Sequence, residues 1–253
     1  MNETSSGVLK SKTGTIMKGC GPYGMAPILD KTPGTIGICD DLDVTYRSNE
    51  QNKNKKKSLI EDTFRNSIEA IDLVVEFIKK PNKTKGEVVL ITSTMEQFFK
   101  IPNNSGPSRD AAIKSVTDQL MIVLKLIKNK LTSCFNIEIR DVGWFEKYCL
   151  WVRVNVLRNT DAGSDLMAQA VGENKMIFYP EFFNRPSIDT VLHEAAHLVG
   201  IGNQGKDYYF GEASWNKIKD HQEAREHPDA YSNFVANLAQ LVKGRQRRNA
   251  LTK

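Results

Sequence analysis

His193, Glu194 and His197 stand in the spacing HExxH within RPSIDTVLHEAAHLVGIG, residues 185–202. On a helix, side chains four apart share one face, so both imidazoles reach a single metal ion. Glu194, one position round, then sits where it can take a proton from water at the ion's open coordination position. The chemistry this pattern predicts is a zinc site with a general base. The competing reading is a buried helix with two incidental histidines. Such a zinc needs a third protein ligand, because two histidines orient the ion poorly. Asp207 is the leading candidate, since Gly200 and Gly202 let the chain double back towards the helix; Glu212 and Glu223 are the alternatives.

The elements that must position these groups follow from periodicity. Ser187 after Pro186 is a plausible N-cap, Asp189 adds charge to a first turn, and Ile188, Val191, Leu192, Ala195 and Val199 recur at helical spacing until Gly200. Upstream, Ser58 to Lys79 reads as an amphipathic helix ending before Pro81, and Arg109 to Leu131 as another. Val88 to Ile91 reads as a short strand and Thr92 to Lys100 as a helix. The period then changes: Ile137–Arg140, Trp151–Leu157 and Met176–Tyr179 read as strands, with Asp161–Asp165 a loop. Helices over Tyr208–Glu223 and Asp229–Leu241 close the chain, and His221 and His227 read as surface or capping residues.

QGKDYYFG, residues 204–211, resembles the GTxDxxYG motif that follows HExxH in the aspzincins, the zinc proteases of the deuterolysin and peptidyl-Lys metalloendopeptidase family. Asp207 and Gly211 fall on its Asp and final Gly. HPDAYSNFV, residues 227–235, is similar to the family's NADxxxxFA, with Asp229 and Phe234 matching. Upstream the likeness is one of order only, a Phe98–Phe99 pair and Arg109 among long helices. The resemblance implies an α+β, zincin-like fold, mainly helical with a small sheet beside the HExxH helix. It implies zinc held by His193, His197 and Asp207, Glu194 as catalytic base, and peptide-bond hydrolysis. The family's motif tyrosine, which steadies an oxyanion, is Phe210 here; Tyr208, Tyr209 and Tyr231 are the candidates to supply a phenol. Of the acidic pair that recognises lysine in some members, Asp229 matches one and Ser232 replaces the other. Asp229 and the phenols of Tyr209 and Tyr231 are therefore the expected substrate contacts, with a helix N-terminal cap the alternative role for Asp229.

Composition bounds the rest. A chain of 253 residues, 40% apolar and 26% charged, is long enough for a real core. Its net charge of +5 is concentrated in KNKKK, residues 53–57, and KGRQRR, residues 243–248, which read first as solvated tails. Without aromatic interleaving they do not predict a nucleic-acid partner, and no apolar run predicts membrane insertion. Residues 1–57, with seven glycines up to Gly37, read as an N-terminal appendage, prosegment or linker, and 58–253 as the catalytic domain. The start lacks a signal-peptide pattern, so a secreted or delivered protein is expected to leave by a route that reads no such signal or to have been trimmed; cytoplasmic residence is the alternative. The expected partners are a protein or peptide substrate and an inhibitor or immunity protein, the latter if the domain is a delivered toxin. The rival function is a zincin-fold binding module with impaired catalysis. Cys20, Cys39, Cys134 and Cys149 allow three pairings or free thiols, and Cys20 in KGCGPYG is a candidate zinc-blocking thiolate.

Overall fold

The computed structural model describes residues 53–103, 105–133, 136–139, 167–202 and 208–251, with four short strands nearer the N-terminus. The four cysteines, the expected strand Trp151–Leu157, the loop Asp161–Asp165 and Asp207 lie outside the described residues.

Four long helices form the bulk. Helix α1, Lys53–Lys79, turns Ile60, Phe64, Ile71 and Val74 inward. Thr63 and Ser67 lie on the same buried stripe, and each hydroxyl donates to the carbonyl four residues back at 2.7 Å, so neither is left unsatisfied. The basic tract at 53–57 is thus the start of a helix rather than a linker, and the boundary expected at residue 57 falls inside it. Helix α2, Lys85–Phe99, absorbs the strand expected at Val88–Ile91. The cause is a capping box: Thr84 Oγ1 accepts the Glu87 amide, and Glu87 Oε2 accepts the Thr84 amide at 2.8 Å. Helix α3, Pro107–Thr132, buries Val116, Leu120, Leu124 and Ile127.

A small mixed sheet follows. Strand β5, Asn136–Ile139, runs parallel to β7, Lys175–Phe178, with Ile137 opposite Met176. Strand β6, Ala168–Val171, is antiparallel to β7 and is the last strand of the sheet among the described residues. Strand β6 was not expected. Its AQAV sequence is too small and too short to carry a clear alternation. In the N-terminal region β3, Gly34–Gly37, and β4, Asp43–Tyr46, form a hairpin whose second strand extends the sheet alongside β5; β1, Leu9–Lys10, and β2, Ile16–Met17, pair separately.

A short helix α4, Pro180–Asn184, leads into α5, Ile188–Leu198, which carries the histidines. Helix α5 packs against the C-terminal helix Pro228–Leu251, α1, α3 and strand β6, burying Val191, Leu192, Ala195, Ala196 and Leu198. The single helix expected over Tyr208–Glu223 is instead a set of turns. Gly211 has φ +90°, Trp215–Lys217 forms one 3₁₀ turn, and Asp220 caps the amides of Gln222 and Glu223 to start the short α6, His221–Ala224. Helix α7, Pro228–Leu251, runs well past Leu241, so the KGRQRR tract is helical. The architecture is α+β, mostly helical, with the sheet beside the HExxH helix. Among the described residues no helix is long and apolar enough to cross a membrane.

Candidate metal centre

Helix α5 delivers His193 and His197 as their spacing predicts, with Nε2 atoms 3.1 Å apart. Each ring is held from behind. His193 Nδ1 lies 2.6 Å from Asp229 Oδ1, and His197 Nδ1 lies 2.9 Å from the carbonyl oxygen of Ile201. A carbonyl oxygen only accepts, so His197 carries its proton on Nδ1; the Asp229 carboxylate draws the His193 proton to Nδ1 in the same way. Both Nε2 atoms then converge on one point, where the repulsion of their lone pairs is relieved by a bound cation or by a proton shared along the 3.1 Å line. Two nitrogens about 2.0–2.1 Å from a shared tetrahedral ion stand roughly 3.3 Å apart, so the observed spacing and donor type fit zinc.

The turn after α5 makes the second of these contacts. Gly200, at φ +93°, ends the helix in a Schellman motif, with the Ile201 amide on Ala196 O and the Gly200 amide on His197 O. That turn aims the Ile201 carbonyl back at His197. Gly202 follows at φ +73°, and a Cβ there would stand 2.8 Å from Pro228 Cδ and 3.0 Å from His197 Cε1. No larger residue fits between the ring and the start of α7 without displacing one of them.

Asp229 is 7% exposed, and both its oxygens are engaged: Oδ1 with His193, and Oδ2 accepting the Phe210 amide at 2.5 Å. The residue expected to meet a substrate lysine is therefore placed behind a histidine instead. Ser232, the other position of that expected pair, is buried at 1% in α7. Close by, burial pushes the Asp189 carboxyl above the usual aspartate range, with the Asp229 charge adding to the shift and backbone amides and His193 opposing it.

Glu194, next to His193, turns to the sheet, where its Oε2 accepts the Ala170 amide at 2.6 Å. The Tyr179 amide donates to Met167 O, which sets the pairing phase of β6 against β7. In that phase the backbone groups of Ala168 and Ala170 point away from β7; Ala168 is itself buried, and the Ala170 amide meets Glu194. Sequence reasoning missed the Ala170 amide and the Ile201 carbonyl, because a backbone group leaves no signal of its own in residue types.

Of the expected phenols, Tyr209 reaches the centre, its ring stacked on His193 at 5.6 Å between centroids. Tyr231 does not: it is fully buried, its hydroxyl donates to Arg225 O at 2.9 Å, and burial pushes its pKa up to about 12. Tyr208 stacks on His227, which is buried; of its two expected roles, surface or capping, its place just before α7, with its carbonyl accepting the Ala230 amide, fits the second. The Phe210 ring packs between Phe98 and Trp215, at 4.7 and 5.5 Å. Glu223 accepts the Lys219 amide at the start of α6 and does not join the histidines. Among the described residues no three of His, Cys, Asp and Glu gather as a ligand set, and the expected third ligand, Asp207, lies outside them. Comparison with family models, with curated proteins and with solved structures returns no match.

Proposed function

We propose that the chain is a zinc-dependent metalloendopeptidase with a zincin-like arrangement of the Asp-ligand type. The observation that carries this reading is the convergence of His193 and His197 Nε2 at 3.1 Å, each ring fixed from behind, beside Glu194. The resemblance of residues 204–211 and 227–235 to the aspzincin motifs supports it, and assigns Asp207 as third ligand. Zinc bound there supplies polarisation of a carbonyl and acidification of water.

The chain's own groups do the rest. Asp229 and the Ile201 carbonyl hold the two imidazoles in the ligating tautomer. Glu194, steadied at one oxygen by the Ala170 amide, takes the proton of the attacking water on the other and returns it to the leaving amine. Tyr209, stacked on His193, is the phenol available to the developing oxyanion in place of Phe210.

The test is cleavage of a denatured protein by the zinc-loaded chain. Glu194→Gln is expected to lower the rate by roughly 10²–10⁴-fold while zinc stays bound; full activity in this variant contradicts the mechanism. The Phe210 ring, sunk between Phe98 and Trp215, favours a second reading, a binding module on the same fold. Stoichiometric zinc with no cleavage by the wild type selects that one.

A further inference from the structure

The end of the helical layer opposite the histidines gathers positive charge that the proposed hydrolysis does not use. Residues 76–87 and 243–248 hold eight basic side chains and two acidic ones, a net +6 against +5 for the entire chain, so the remainder is close to neutral. The fold brings the two segments together. The Arg245 guanidinium lies 4.0 Å from where a Cβ on Gly86 would stand, placing the end of α7 beside the start of α2. Lys79 closes α1 just before that start. One of the two acids, Glu87, is engaged by Lys80 and by the Thr84 amide. Lys79, Lys85, Lys243 and Arg247 are exposed.

Aliphatic side chains share this pole. Val88 and Val89 on α2 are 45% and 54% exposed, and Leu241 on α7 is 40% exposed. Helices α2 and α7 run antiparallel, since Phe99 at the end of α2 packs on Tyr231 and Phe234 near the start of α7. Counting one turn from the Arg245–Gly86 approach puts Leu241 level with the exposed valines. Asp229 and Arg245 are 16 residues apart on one helix, about 24 Å, so the pole and the metal centre do not overlap.

We propose that this pole docks the protein on an anionic lipid bilayer, peripherally. Anionic headgroups over hydrocarbon match both parts of the patch, lysine and arginine to phosphates and carboxylates, and the exposed valines and leucine to the acyl boundary. A nucleic acid rewards the charges but leaves the aliphatics without a partner. The aromatic ring of residues 76–87, Phe77, is packed against the core and offers no platform for bases.

Sedimentation of the full chain with vesicles tests the proposal. Phosphatidylcholine vesicles containing phosphatidylserine are expected to carry the protein down at low salt, and pure phosphatidylcholine vesicles are not. Joint Lys243→Glu and Arg247→Glu substitution is expected to lower the partition on the order of tenfold or more. Val89→Ser is expected to weaken it with the salt dependence unchanged, and both variants are expected to keep the wild-type melting temperature. Absence of binding to the anionic vesicles overturns the proposal. So does equal binding by the charge-reversed chain, or tighter binding to an RNA oligonucleotide than to the vesicles.

Discussion

Asp229 links the two halves of the candidate centre with one carboxylate, holding His193 on one oxygen and the Phe210 amide on the other. Both neighbours donate, so Asp229→Asn turns an amide NH2 towards one of two donors and leaves a buried donor facing a donor. Zinc affinity, measured by competition with a chelator, is expected to fall about 10–100-fold in this variant; an unchanged constant contradicts the orienting role. Asp189 makes a pH prediction. Its folded pKa is raised, mainly by burial, so its contribution to stability is full below the ordinary aspartate pKa of about 3.9 and is lost as pH rises through the folded value. The melting temperature of Asp189→Asn relative to wild type is therefore expected to become more favourable from pH 4 to pH 7. A difference that stays flat or runs the other way contradicts the burial argument. At this scale the HExxH spacing was legible because helical geometry alone brings His193 and His197 together. Asp229 was legible only as a residue that matters, since a motif match gives a position and not the neighbour that the side chain meets in space.

At the scale of elements, α2 shows how a local signal competes with a run of apolar residues. Val88, Val89, Leu90 and Ile91 look like a strand by composition, but Thr84 and Glu87 open a helix three residues earlier. Thr84→Ala is expected to cost about 1 kcal/mol in chemical denaturation, because it removes one half of the capping box. Loss of less than a few tenths would mean that tertiary packing alone holds the helix start. The other half of the cap, Glu87, is held well down, to about 2, first by Lys80 and then by the Thr84 amide, so the cap persists above the ordinary glutamate range and weakens as pH falls towards 2. The TxxE signal was present in the sequence and outweighs the β-branched pair. The turns after Gly211 and the buried setting of His227 were less accessible, because both depend on rings brought together in space, Phe210 on Phe98 and Trp215, and His227 on Tyr208 and Trp215, rather than on local propensity. Strand β6 was missed for a related reason. AQAV becomes a strand by pairing with β7, and it matters because its Ala170 amide meets Glu194.

Across the whole molecule, α7 connects the two features that chemistry singles out. Its first turn supplies Asp229 to the histidine pair, and its last turns supply Arg245 and Arg247 to the basic pole. Helix α5 lies against α7, α1 and α3, so the candidate centre rests on the best-packed part of the described fold while one side of it faces a small sheet. This layout separates the functions experimentally, since charge changes at the pole leave the centre intact. The α+β class was readable from the change of period along the chain, whereas the joining of the N-terminal hairpin β3–β4 to the sheet was not, because strand pairing over ninety residues of chain leaves no local trace. The central claim is most directly tested by zinc-edge anomalous diffraction on crystals of the zinc-loaded chain. One ion per chain is expected, bound by His193 Nε2 and His197 Nε2 with an Asp207 oxygen within about 2.0–2.2 Å. A chain without zinc, or zinc bound away from these histidines, would contradict the account.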